Sequence, residues 1–115
     1  MISSRRCTPR RTPNGMLELR LRSQARRDIA GIWTYTLRRW SRGQADRYVG
    51  VIRAEIERLR ERPSLGTPVN DVQAPFLKRR VGRHVIFYLV ADGVLDIVRV
   101  LHDSMDFASH LANDS

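Results

Sequence analysis

The sequence predicts an α+β fold in the order β-α-α-β-β-β, a mostly antiparallel sheet with a helical hairpin on one face. Three observations predict it. Two adjoining stretches, from Ala25 to Trp40 and from Ala45 to Leu59, repeat apolar residues at the three- and four-residue spacing of amphipathic helices. Three runs rich in β-formers follow, at 77–81, 84–90 and 94–101. Gly82-Arg83 and Asp92-Gly93 separate those runs, and two-residue connections of this composition make hairpins, so the runs form a meander.

Residues 1–15 mix arginine, proline, serine and threonine with almost no apolar periodicity. They predict a disordered basic tail with no apolar segment of a secretory signal. Met16 stands where the patterned body begins, so the tail is also what an upstream start codon would add. A single domain is expected over 16–111, with 112–115 a disordered C-terminus.

Leu17, Leu19 and Leu21 alternate with Glu18, Arg20 and Arg22, the pattern of a half-buried strand. Ser23 is placed to cap the first helix, whose stripe is Ala25, Ile29, Ile32, Trp33, Thr36, Leu37 and Trp40. The second helix opens on Ser41-Arg-Gly-Gln44, a capping box in which Gln44 reaches back to the Ser41 backbone. Its stripe is Ala45, Tyr48, Val49, Ile52, Ile56 and Leu59, and Pro63 ends it. So short a link forces an antiparallel hairpin.

Residues 63–75 hold three prolines, a glycine and an asparagine, which predicts a loop long enough for a role beyond linking. In the strand that follows, Leu77, Arg79 and Val81 alternate with Lys78 and Arg80. Gly82-Arg83, glycine first, suits a type II′ turn and Asp92-Gly93 a type I′ turn. The unbroken run His84–Val90 reads as a central strand covered on both faces. Helices on one face leave the opposite face of the sheet for a partner. Asp106 is placed to begin a short last helix through Leu111.

A chain of 115 residues supports one modest core. Its charge is unusual, net +9 with a pI near 11.3, and Lys78 is the only basic residue other than arginine. Arginine's planar fork fits phosphate and carboxylate, which points to a polyanionic or acidic partner. A GC-rich coding bias with a solubilising surface is the other account. One cysteine, Cys7, excludes an internal disulfide and any multi-cysteine metal site and fits a reducing compartment such as the cytoplasm. No segment reaches the ~18 apolar residues a membrane span needs.

The histidines are His84, His102 and His110, and none has a second ligand at helical spacing, so no metal is expected. No serine sits in a Gly-x-Ser-x-Gly setting and no glycine-rich loop precedes a helix, so no cofactor is expected either. Cys7, in the tail, makes a poor nucleophile. Two clusters remain. Lys78, Arg79, Arg80 and Arg83, joined by Arg99 if the strands register suitably, can bind phosphates or an acidic protein, or simply guard an edge strand with charge. His102, Met105 and Asp106 stand where the last strand leaves the sheet. They supply either an acid–base pair or a polar cap.

These residues carry a resemblance. Trp33-Thr-Tyr35 and Trp40, Gln44-Ala45-Asp46-Arg47-Tyr48, and Arg62-Pro63-Ser-Leu-Gly66 resemble the ParE toxins of bacterial toxin–antitoxin modules. So do Arg79-Arg-Val-Gly82-x-His84-x-Ile86-Phe-Tyr88 and Val98-Arg-Val-Leu-His102-x-x-Met105-Asp106. The similarity runs from about Met16 to Leu111 in order and spacing. It implies the fold of the RelE/ParE superfamily, within which ParE-like members poison DNA gyrase and RelE-like members cut messenger RNA on the ribosome. RelE-like chains place a catalytic arginine early in the central strand, where this chain has Val85, and add basic or tyrosine residues near the C-terminus. No tyrosine follows Tyr88 here.

The resemblance therefore implies a gyrase-binding toxin without catalytic residues, growth-arresting and neutralised by a cognate ParD-like antitoxin. Candidates for touching the target are His102, Met105, Asp106 and Arg99. Candidates for touching the antitoxin are Arg79, Arg80, Arg83, Trp33 and Trp40. The alternative is a ribosome-dependent endoribonuclease built on His102, Arg80 and Arg99.

Overall fold

The computed structural model of the chain describes residues 16–69 and 75–105. Strand β1 (Glu18–Leu21) leads into helices α1 (Ser23–Arg39) and α2 (Arg42–Glu61). A 3-10 turn at Pro63–Leu65 and a two-residue strand, β2 (Thr67–Pro68), follow. The meander is β3 (Leu77–Val81), β4 (His84–Ala91) and β5 (Val94–His102). The sheet order is β1-β5-β4-β3-β2, parallel between β1 and β5 and antiparallel elsewhere. The expected tail over 1–15 with its Cys7, the residues 70–74, and Asp106 with everything beyond it lie outside the described residues.

The helices form because each lays an aliphatic stripe on one face of the sheet. Ala25, Ile29 and Ile32 of α1 and Val49, Ile52, Ile56 and Leu59 of α2 meet Ile86, Tyr88, Leu95, Ile97 and Val100 in one core. Trp40 drops out of the predicted stripe. It caps the C-terminus of α1 beyond the turns that meet the sheet and is 66% exposed. Ser41 caps α2 as its sequence suggests, its Oγ accepting from Gln44 N–H at 3.1 Å. Ser23 does not cap α1. The cap is Arg22, whose N–H still donates to Ile97 carbonyl as the last rung of the β1–β5 ladder. Strand runs straight into helix, leaving no separate capping position.

Tyr88, fully buried, donates its hydroxyl to Pro63 carbonyl at 2.7 Å and so ties the turn after α2 to the central strand. Burial pushes this phenol above its usual value near 10, against smaller opposing pulls from a backbone hydrogen bond at Gly66 and from Arg79. The predicted loop is thus partly structured. Thr67 and Pro68 pair with Lys78 and Leu77, so β3 is not the sheet's edge. Proline tolerates this place because an edge strand can spare an amide hydrogen.

The far face of the sheet is not left open. Phe87, Val98 and Leu101 point away from the helices and are buried with Val69 and Phe76, which flank residues 70–74. Val98 is the extra residue of a β-bulge. Tyr88 faces Ile97, but Phe87 faces Arg99, one residue further on. That slip decides where the polar residues of β5 fall.

Candidate functional site

Without the bulge, a two-residue turn at Asp92-Gly93 would set His84 opposite Leu101. With Val98 inserted, His84 faces His102. Their rings meet edge to face, with centroids 5.4 Å apart and planes at 86°. Tyr48 of α2 closes the group from the helix side. Its hydroxyl lies 2.7 Å from His84 Nδ1 and accepts from Arg83 N–H at 3.1 Å. The phenol therefore bridges the turn backbone and the His84 ring, joining the start of β4 to α2. Gly82 makes this approach feasible, because it adopts φ 58° and a Cβ there would stand 2.9 Å from the Tyr48 hydroxyl.

Burial holds His84 below the usual 6.5, and the neighbouring His102 adds to the effect, while Asp103 and Asp28 pull the other way. His84 is therefore neutral at physiological pH. His102 Nδ1 lies 2.8 Å from Ser104 Oγ and 3.2 Å from an Asp103 carboxylate oxygen. The other oxygen of Asp103 accepts from Arg80 Nη2 at 2.6 Å. Polar contacts thus join Arg80, Asp103 and His102, and the ring contact sets this group beside His84 and Tyr48. The imidazoles of this group can form hydrogen bonds with a bound partner.

The predicted site residues divide. His102 is half-buried, Arg80 is exposed but held by Asp103, and Met105 is exposed beside His102. Asp106 lies outside the described residues. Arg99 does not join Lys78 and Arg80 on the surface. It is 8% exposed, and its Nε and Nη2 donate to the two carboxylate oxygens of Asp28 at 2.8 and 2.9 Å. Asp28 also accepts from Val100 N–H at 2.9 Å. β1 ends its pairing at Ile97, and the Asp28 carboxylate takes over the edge of β5 beyond it. Arg99 is thus part of how α1 is fastened to the sheet. Of the nuclease candidates, Arg80 and His102 share the Asp103 carboxylate, and Arg99 lines a pocket with His102 while its guanidinium is held by Asp28.

The antitoxin candidates also separate. Arg79 faces the helices and donates to Glu55 of α2 at 2.6 Å. Trp33 lines a groove of about 710 Å³ between the β1 edge and the hairpin, with Leu19, Leu21, Ile29 and Val49 inside and Arg26 and Arg53 at its rim. Its indole N–H donates to Asp46 at 2.9 Å. Trp40 and Arg83 line a second groove of about 650 Å³ beside the histidine pair. Among the described residues, no group of three or more metal-ligating side chains occurs and no helix is long and apolar enough to cross a membrane.

Sequence reasoning missed Tyr48, His84 and Asp103. The stripe of α2 absorbed Tyr48 as core, although a tyrosine hydroxyl on an otherwise aliphatic stripe must find a partner and was the available signal. His84 opens a strand after a two-residue turn, so its nearness to His102 was within reach once the bulge was allowed for.

A helical hairpin fastened to one face of a mixed five-stranded sheet, with a polar cluster at the strand ends, defines a small toxin fold of the RelE/ParE type. The profile of the ParE toxin of type II toxin–antitoxin systems, parDE, matches residues 19–107. Toxin ParE1 of Caulobacter vibrioides is 40% identical over 96 residues, spanning 84% of this chain and 99% of that protein. Toxin ParE1 of Mycobacterium tuberculosis is 33% identical over 88 residues, 76% of this chain and 90% of that one. The fold matches a chain of the chromosomal ParDE toxin–antitoxin system of P. aeruginosa with a TM-score of 0.66 and 15% identity, over 76% and 96% of the two chains. It also matches the toxin–antitoxin complex RelBE2 of Mycobacterium tuberculosis, with a TM-score of 0.56 and 21% identity over 76% and 98%. The chain belongs to the ParE toxin family, the toxin component of type II toxin–antitoxin systems.

Proposed function

We propose that this toxin works in the cytoplasm by binding DNA gyrase, not as an enzyme, and is held inactive by a ParD-like antitoxin. The observation that carries the non-enzymatic part is what occupies the positions a RelE-like chain would use. Arg99 is locked on Asp28, and Arg80 meets Asp103 on the exposed rim. Val85 stands where a RelE-like chain would have its arginine and packs on the far face, against Phe87 and Leu101. Cutting a phosphodiester needs cationic groups aimed at the developing charge. Neither Arg99 nor Val85 supplies one. The family membership supports the gyrase part.

The test sets the purified toxin against gyrase in supercoiling and DNA-cleavage assays, beside an in-vitro translation reaction with primer extension on the message. Trapped cleavage complexes with intact transcripts are expected. Cut transcripts with unaffected gyrase would replace this reading with the ribosome-dependent nuclease.

For the antitoxin, the groove lined by Leu19, Leu21, Ile29, Trp33 and Val49 suits the apolar face of an amphipathic helix. Its rim arginines, Arg26 and Arg53, suit acidic flanks. They take the place of Arg79 and Arg80, whose guanidiniums are already paired. Charge reversal at Arg26 and Arg53 should slow association with the antitoxin and flatten its salt dependence. Unchanged association at low salt would remove the electrostatic part.

A further inference from the structure

The second groove differs in kind from the first. It lies at the linked end of the helical hairpin, between the α1–α2 link and the β3–β4 turn, and Tyr35, Arg39, Trp40, Arg47, Arg83 and His84 are among the residues lining it. Trp40 and Tyr35 are 66% and 62% exposed, an unusual state for two large aromatic side chains on one concave surface. Arg39 lies over the Tyr35 ring, 6.0 Å from its centre. Among the described residues no carboxylate pairs with Arg39, Arg47 or Arg83, and no acidic residue lines the groove.

Three guanidiniums without a carboxylate partner among the described residues, beside two exposed aromatic side chains, call for a ligand that is both anionic and planar. An acidic helix would satisfy the charges and leave the aromatic faces without apolar partners. A nucleotide strand satisfies both, with bases stacked on the rings and phosphates on the arginine forks. We propose that this groove binds a short segment of single-stranded nucleic acid, with Trp40 as its stacking platform and Arg39, Arg47 and Arg83 as its phosphate contacts. The proposal goes beyond the gyrase reading and does not depend on it.

The full chain, freed of antitoxin, is titrated into a fluorescein-labelled dT12 oligonucleotide and followed by anisotropy. Three phosphate contacts predict a slope of log K against log[salt] near −2, since each contact on a single strand contributes about −0.7. Trp40→Ala keeps the net charge and should weaken binding about tenfold, within the range that stacking one base contributes. Trp40→Phe should restore most of it, and Arg47→Gln should lower the salt slope. Arg53→Gln, in the other groove, should change the affinity by less than about twofold. Thermal melting run alongside shows each variant folded, as the exposure of position 40 leads one to expect. Equal losses for Arg53→Gln and Arg47→Gln, with none for Trp40→Ala, would mean a diffuse basic surface and overturn the proposal. So would equal affinity for a duplex of the same length, for free dTMP, or for a glutamate-rich peptide that displaces the oligonucleotide.

Discussion

Two arginine–aspartate pairs at one end of the sheet are alike in length and unlike in setting. Asp28 and Arg99 meet at 2.8 Å with about a tenth of each side chain exposed, and Asp103 and Arg80 meet at 2.6 Å with Arg80 64% exposed. The first closes the edge of β5 where β1 has left it and satisfies a backbone amide as well. The second lies in water on the outer rim. In a chain with this much arginine, residue type says little about role. The end of β1 and the bulge at Val98 sort the arginines into fasteners and presented charges.

Removing the two carboxylates in turn should separate the pairs most strongly. Asp28→Ala deprives a buried guanidinium of its carboxylate and Val100 of its acceptor, and should cost about 3–5 kcal/mol in urea denaturation. Asp103→Ala should cost no more than about 1 kcal/mol, because an exposed pair gains little over its hydration. Equal losses would show that burial does not separate the two.

Gly82→Ala comes next. It forces a side chain onto φ 58° and toward the Tyr48 hydroxyl, and should cost about 1–3 kcal/mol by thermal melting. The His84 ring signals in an NMR spectrum should move with it.

A smaller effect is expected with pH. The folded state lowers the pKa of His84, so between its folded and unfolded values the unfolded chain binds more protons. The stability tied to neutral His84 is then fully present above about 6.5 and is lost as pH falls below it. Urea midpoints at pH 8 and pH 5 should show the drop, and His84→Asn should flatten it. An unchanged slope in the variant would place the pH dependence elsewhere.

Much of this architecture was legible. The leucine alternation, both helical stripes, the Ser41 cap and the two hairpin turns follow from local preference and periodicity, and Asp92 and Gly93 do take the positive φ values of a type I′ turn. What escaped depends on partners distant in sequence. Val98 looks like any strand valine, yet as a bulge it moves His102 opposite His84. β2 is only Thr67 and Pro68, too short for a pattern, and proline argues against a strand. Leu19 alternates with its neighbours but stays 38% exposed, because β1 is an edge that the hairpin covers incompletely. Arg99 resembled its charged neighbours on β3 until Asp28 claimed it. The candidate site was half legible for the same reason. His102 and Met105 announce the rim, whereas Tyr48 arrives from a helix far away in the chain.

In the proposed mode of action the strand-end cluster serves as a shaped surface, without transferring protons in a reaction. Growth arrest by His102→Gln, with transcript ends mapped in the same cells, tests this most directly. Glutamine keeps much of the size and hydrogen bonding of histidine but cannot change charge between pH 5 and 8. Arrest close to that of the unaltered toxin, with intact transcripts, is expected. A loss of ~10²–10⁴-fold, the scale of a missing general acid or base, with new transcript ends in cells making the unaltered toxin, would contradict it.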